Sequence, residues 1–190
     1  MCPKSSVTNT IKMRASNSDS ATDVKIVDIT TGHGEKFFIS IPVNWNDSVQ
    51  NSSDEVSSTV RVSSRTNEDL VLLMTFFSKT QSFGMDQNLL NKLIENIKEK
   101  HSQLSAETLV ESTELKLTFS KGVGKLITYA DNALVKKANK KNGEFAFVTT
   151  GVIIIGRTIV SISLLTNDRG TANYAKAMAA IQTMTTRNAA

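Results

Sequence analysis

GEFAFVTTGVIIIGRTIVSISLLTNDRGTANYAKAMAAIQTM, residues 143–184, places two apolar segments directly before an amphipathic one, and its reading decides the fold. Between Glu144 and Leu165 the segment is dense in β-branched and aromatic residues, which suit a pleated, buried surface. The longest uncharged run, Phe145 to Gly156, is 12 residues, whereas crossing a bilayer takes roughly 20. The segment therefore reads as a β-hairpin that turns at Gly156-Arg157, because glycine tolerates the positive φ of tight hairpin turns. In its second strand Thr158, Val160, Ile162 and Leu164 share one face, and Ile159, Ser161, Ser163 and Leu165 share the other. The small serines are expected to leave room for a helix. One follows at once: Thr166-Asn167-Asp168 breaks the strand, Thr171 supplies an N-cap, and Tyr174, Met178 and Ile181 form a stripe among alanines. A Met/Tyr stripe at this spacing reads as core rather than as a cofactor site.

The chain of 190 residues suffices for one domain with a real core. Its net charge of +4 is mildly basic, a balance that by itself selects no partner class. Cys2 is the single cysteine, so no intramolecular disulfide framework exists and the core must hold the fold.

Residues 1–22 are rich in Ser, Thr and Asn without hydrophobic periodicity and read as a flexible polar tail. No apolar h-region is present, so this is not a signal peptide as written. Cys2 followed by a polar tether does match the start of a mature bacterial lipoprotein, which makes Cys2 a candidate lipid attachment site. An incidental cysteine is the alternative. A single domain is expected over 23–186, with a short tail at 187–190.

Along that domain, Val24 to Ile29 and Phe37 to Ile41 read as a hairpin across Thr30 to Lys36, ended by Pro42, which cannot donate to a ladder. Trp45 either covers one end of the core or is an exposed binding residue. Asn46 to Ser58 is polar, carries Asp47, Asp54 and Glu55, and is expected to be a mobile or binding loop. Thr59 to Ser64 alternates, with Val60 and Val62 inward. Leu70 to Phe77 is apolar on both faces and is expected mid-sheet, covered on each side. Met85 to Leu104 has the clearest helical pattern, with Leu89, Leu90, Leu93, Ile94 and Ile97 in its stripe. Thr113 to Phe119 and Lys125 to Ala130 read as two strands joined by a turn at Gly122-Val123-Gly124. Lys136, Lys137, Lys140 and Lys141 then form a basic cluster ahead of the last hairpin. Consecutive hairpins with two separated helices favour an α+β architecture, a mostly antiparallel sheet covered on both faces.

Signals of catalysis are thin. His33 lies in a glycine-flanked turn and His101 at a helix end, where it suits the terminal carbonyls. No Gly-x-Ser-x-Gly elbow occurs, and no His, Cys and carboxylate cluster has metal-ligand spacing. Gly122-Val123-Gly124-Lys125 differs from a phosphate-binding loop, with Phe119 at the first glycine, Leu126 in place of Ser or Thr, and a strand following instead of a helix. The lysine cluster lacks the interleaved aromatics of a nucleic-acid surface. No enzyme, cofactor, metal or nucleic-acid partner is expected.

The run Gly34-Glu35-Lys36-Phe37-Phe38-Ile39-Ser40-Ile41-Pro42-Val43-Asn44-Trp45 resembles the opening "F-x-I-x-x-P-x-x-W" of the Mog1/PsbP-like family. The order of elements after it, to the closing helix with Tyr174, is similar too, and the resemblance covers about residues 24 to 185. It implies an α/β/α sandwich with a central antiparallel sheet, without catalytic residues. It also implies a binding or assembly role. Cys2 and its tether point to the bacterial DcrB-like lipoprotein branch, anchored in the periplasm at the inner or outer membrane; an unmodified chain would instead be cytoplasmic.

The function expected is therefore that of a non-catalytic binding or accessory protein of the bacterial envelope with a protein partner. Its candidate surface comprises Trp45, Asp47, Asp54, Glu55, Lys136, Lys137, Lys140 and Lys141, and any membrane association runs through the Cys2 lipid. Two alternatives are a soluble inhibitor or immunity-type protein that blocks an enzyme, and a small-ligand or lipid carrier, which needs an apolar cavity between sheet and helix.

Overall fold

The computed structural model describes residues 23–52, 57–64, 70–78, 87–102, 107–115 and 122–187. In chain order these form β1 (Val24–Thr30), β2 (Lys36–Pro42), β3 (Trp45–Asn51), β4 (Ser57–Ser64), β5 (Leu70–Ser78) and α1 (Gln87–Ser102). There follow β6 (Glu107–Leu115), β7 (Gly122–Asp131), α2 (Asn132–Lys136), β8 (Phe147–Ile155), β9 (Thr158–Thr166), α3 (Ala172–Gln182) and β10 (Thr185–Arg187).

The β8–β9 hairpin forms as its sequence dictates. Ile155 pairs with Thr158 across a two-residue turn, and Gly156 has φ 58°, a conformation that costs other residues dearly. At the start of α3 the Thr171 hydroxyl accepts the Tyr174 N–H at 3.2 Å, which satisfies one of the unpaired amides of a helix terminus.

Seven antiparallel strands form the main sheet in the order β3-β4-β5-β9-β8-β7-β6, and β1-β2-β10 form a smaller antiparallel sheet. The architecture is α+β, a sandwich with the main sheet in the middle. On one face lies a mixed layer of the small sheet and α3; the core between them holds Ile29, Phe37, Ile41, Trp45, Phe76 and Ile162, with α3 contributing Ala177, Ala180 and Ile181. On the other face α1 docks Leu90 and Ile94 onto Ile127, Tyr129, Val152 and Ile154. Each such aliphatic side chain removed from water contributes on the order of 2 kcal/mol, so both helices are held by packing more than by propensity.

Several expectations need correction. The helix that follows the hairpin does not lie on the serine face of β9: α3 packs against the Val160, Ile162 and Leu164 side, and α1 approaches the Ile159 side. Alanines rather than serines make the close contact. The polar stretch after Trp45 begins with a strand, β3, whose residues 45–51 pair with 58–64 of β4. As an edge strand β3 is exposed from Asn46 onward, so it lacks the apolar alternation by which a strand is recognised. Gly122-Val123-Gly124 is no turn, for it pairs with Ile155, Ile154 and Ile153 as the start of β7. β6 starts earlier than expected, at Glu107, and a short β10 extends β2.

Gly151 of β8 marks a close approach to β7. A Cβ on Gly151 would stand 2.1 Å from the Lys125 carbonyl oxygen and 2.8 Å from the Leu126 Cα. Only glycine fits there.

Candidate functional site

The residues singled out from the sequence are dispersed. Trp45 is 1% exposed and belongs to the core rather than to a binding surface, because the first position of β3 faces the small sheet. Asp47 is engaged by Lys25, whose ammonium donates to Asp47 Oδ1 at 2.5 Å and to the Trp45 carbonyl at 2.7 Å. Asp54, Glu55 and Cys2 lie outside the described residues. The lysines sit on the α2–β8 connection, beside β7 and β8, whereas Asp47 is on β3 at the far edge of the sheet. No single surface contains them.

The lysine cluster also spends part of its charge locally. Lys137 Nζ donates to both oxygens of Glu144, at 2.8 and 2.6 Å, and the Lys141 N–H donates to Glu144 Oε2 at 2.8 Å. Lys140 Nζ caps the Lys137 carbonyl at 3.0 Å. The Lys137 and Lys141 hydrogen bonds hold the Glu144 carboxyl below its ordinary range. What results is a self-tied loop around a recess of about 320 Å³ lined in part by Lys140 and Lys141, with Lys136 exposed at the end of α2.

His33 is exposed in the β1–β2 turn, and His101 stacks on the Tyr129 ring with centroids 4.2 Å apart instead of serving only as a helix-end cation. The acid nearest His33 in sequence, Glu35, accepts from Ser78 Oγ at 2.9 Å, from the Thr158 hydroxyl, and from Arg157 Nε at 3.2 Å. This cluster pins the β1–β2 turn to the ends of β5 and β9. Among the described residues no group of three or more His, Cys, Asp and Glu side chains is disposed to hold a metal ion.

A second cluster sits at the other end of the sheet. The Arg169 guanidinium meets Glu111 at 2.5 Å and lies about 6 Å from the centroids of Phe147 and Tyr174. Burial opposes its charge, yet the bonds to Glu111 and Tyr174 outweigh that and raise its pKa further. It clamps the start of α3 to β6 and β8.

A surface that sequence reasoning missed is the uncovered half of the α1 face. α1 sits over β7 and β8 and reaches Ile159 of β9; over the same face of β3 and β4 and the remainder of β5 and β9, no helix lies among the described residues. Aligned rows cross it: Gln50, Thr59, Thr75 and Ser161 in one, Ser48, Arg61, Leu73 and Ser163 in the next. The expectation that β5 is covered on both sides holds at Val71, 5% exposed on this face, and fails at Phe77, which is 41% exposed. Phe77 forms one wall of a recess of about 420 Å³ whose other walls are Leu93 and Ile97 of α1 and Val152 and Ile159 of the sheet, with Lys100 at the margin. An apolar wall beside a hydroxyl-lined field is the anatomy of a docking surface, an apolar centre with a polar rim. The signal was present in the two-sided apolarity of Leu70 to Phe77; it could not show which stretch of that face the helix leaves open.

Comparison with known proteins agrees with the geometry at the level of fold. No family model matches the chain, and no curated protein matches it. Among solved structures, cyanobacterial PsbP (CyanoP) from Synechocystis sp. PCC 6803 superposes with a TM-score of 0.52 at 9% identity, over 92% of this chain and 99% of that one. A Bacteroides thetaiotaomicron VPI-5482 crystal structure aligns with a TM-score of 0.42 at 14% identity over 80% of this chain. The chain spans 46% of the length of that Bacteroides protein. The fold is thus PsbP-like.

Proposed function

We propose that this is a non-catalytic binding or accessory protein that docks a protein partner on the sheet face beside α1, around the exposed Phe77, and that it belongs to the DcrB-like lipoprotein branch, tethered to a bacterial membrane through Cys2. The observation that carries the docking reading is Phe77, a large aromatic side chain left 41% exposed at the mouth of an apolar recess. Aromatic side chains in such positions are the usual anchors of interfaces. The likeness of fold to PsbP is compatible with an accessory role.

Phe77→Ser tests the docking. Since the side chain is 41% exposed, the variant is expected to stay folded with a modestly lower melting temperature while losing the partner that covalent crosslinking recovers with the wild-type protein. Retention of that partner overturns the reading. The tether is tested separately by the intact mass of protein expressed from its full gene: a diacylated or triacylated Cys2 supports it, and an unmodified cysteine in a soluble fraction removes it.

The same recess favours a second reading, a carrier of a small apolar ligand, because its volume falls within the range of about 300–1,000 Å³ common to ligand sites. A lipid that leaves the protein on organic extraction, and that Ile159→Asp fails to retain, distinguishes the carrier from the docking protein.

A further inference from the structure

The free edge of the small sheet carries an inference independent of the docking face. Register fixes which of its backbone groups are unpaired. The Val43 N–H donates to the Asp23 carbonyl at 3.0 Å and the Thr31 N–H to the Glu35 carbonyl at 2.9 Å. Both pairs continue the β1–β2 ladder in register, one step beyond Val24↔Pro42 and Thr30↔Lys36. Hydrogen-bonded and non-hydrogen-bonded pairs alternate in an antiparallel ladder. Lys25, Val27 and Ile29 therefore bond to β2, whereas Val24, Ile26, Asp28 and Thr30 turn their N–H and C=O groups outward. The Thr30 carbonyl is taken by Ser58 Oγ at 3.0 Å. Val24, Ile26 and Asp28 are left, and no described residue bonds to their edge-facing groups.

The side chains on this edge are as open as its backbone. Ile26 is 65% and Val24 59% exposed on the outer face, next to half-buried Phe38. An edge of this kind templates strand addition unless a charge or proline blocks it. The one lysine on β1, Lys25, points to the inner face, where Asp47 and the Trp45 carbonyl hold its ammonium, so the one charge on the outer face of this edge is Asp28, which is exposed. The edge strand β3 of the main sheet is more polar, with Asn46, Asp47, Ser48 and Gln50 exposed beside Val49.

We infer that two copies of the chain associate through β1, antiparallel, with Ile26 opposite Ile26 at the two-fold axis. Self-complementarity selects a second copy as the occupant. A two-fold axis normal to the sheet keeps each face continuous, so residues of like parity must oppose one another. Centring on Ile26 sets Val24 against Asp28 of the other copy and Ile26 against itself, all of them outward-facing positions, and each such pair exchanges two hydrogen bonds. Centring on Val27 would instead use Thr30, whose carbonyl is already bonded. The Ile26 register buries the two most exposed large apolar residues of the described chain and joins the two three-stranded sheets into one. A strand pair alone buries less than the roughly 1,200 Å² of a standard stable interface, so the dimer is reversible and concentration-dependent.

The test is light scattering on the full chain under reducing conditions across a concentration series. The expected result is a mass that rises toward twice the chain mass for wild type and stays at one chain for Ile26→Lys and Ile26→Pro. Proline is tolerated at an edge position whose N–H faces solvent, and Ile26→Lys places a lysine on a side chain already in water, so at least one variant stays folded by circular dichroism. On oxidation, Ile26→Cys in a Cys2→Ser chain is expected to crosslink to itself, and Lys36→Cys in the same chain is not. A wild-type mass of one chain at every concentration overturns the inference. So does a dimer that survives Ile26→Lys in folded protein.

Discussion

Lys25 of β1 reaches across the gap between the two sheets to Asp47 of β3, its ammonium 2.5 Å from the carboxylate and 2.7 Å from the carbonyl of Trp45. Beneath that bridge Trp45 is 1% exposed. The charged pair is partly solvated, with side chains 31% and 28% exposed, and pairs of this kind contribute about 0–1 kcal/mol. Packing, not charge, holds the sheets together here. Trp45→Ala is expected to cost about 3–5 kcal/mol and Lys25→Ala less than about 1 kcal/mol. Urea denaturation of both variants checks the order, and a Trp45→Ala protein as stable as wild type would place that side chain outside the core.

Close contact of β7 with β8 makes Gly151 intolerant of any side chain. Gly151→Ala would push a methyl group onto the Lys125 carbonyl, 2.1 Å away, and neither strand can yield without opening the centre of the sheet. A loss of roughly 1–3 kcal/mol is expected, the usual cost of overpacking. Thermal melts of Gly151→Ala beside Gly143→Ala separate this steric effect from glycine's backbone freedom, for Gly143 has open space at the Cβ position and only its φ of 84° to lose.

Glu35 fastens the β1–β2 turn to Ser78, Thr158 and Arg157. Glu35→Ala leaves the two hydroxyls to each other at 2.7 Å, so the expected cost is the modest one of about 1–3 kcal/mol for a broken buried bond. Hydrogen exchange at the Thr31 and Gly34 amides should quicken, while that of β8 stays slow.

The lysine loop is expected to loosen in acid. Glu144 has its pKa lowered, first by the Lys137 hydrogen bond and then by the Lys141 amide. A carboxyl depressed in the folded state contributes its tie fully above its ordinary value near 4.5 and loses it as pH falls through the lower, folded value. An NMR titration following the Lys141 amide should therefore show one transition below pH 4.5, absent in Glu144→Gln. A transition above that pH would contradict the geometry.

How much of this was legible in the sequence depended on whether local chemistry sufficed. The β8–β9 hairpin and the Thr171 cap could be read because a glycine turn and a capping hydroxyl act within a few residues. β3 could not, since an edge strand in water needs no apolar alternation, and the glycines opening β7 read as a turn because their pairing with Ile155 and Ile153 of β8 is a tertiary fact. The candidate site fared worse. Charged residues read as free from the sequence, yet Asp47 is held by Lys25 from another sheet and Lys137 by Glu144 across its own loop, and Phe77 reads as core because nothing local to β5 tells how far α1 extends over the sheet.

Docking at Phe77 requires that a partner come within reach of that side chain in the cell. The most direct measurement places a photo-crosslinking amino acid at position 77, and in parallel at Lys136 on the lysine loop, in the protein expressed in its own cells, with adducts identified by mass spectrometry. A discrete protein adduct from position 77, not obtained from position 136, is the predicted result. Adducts from position 136 alone, or none from position 77 in folded protein, would contradict the claim.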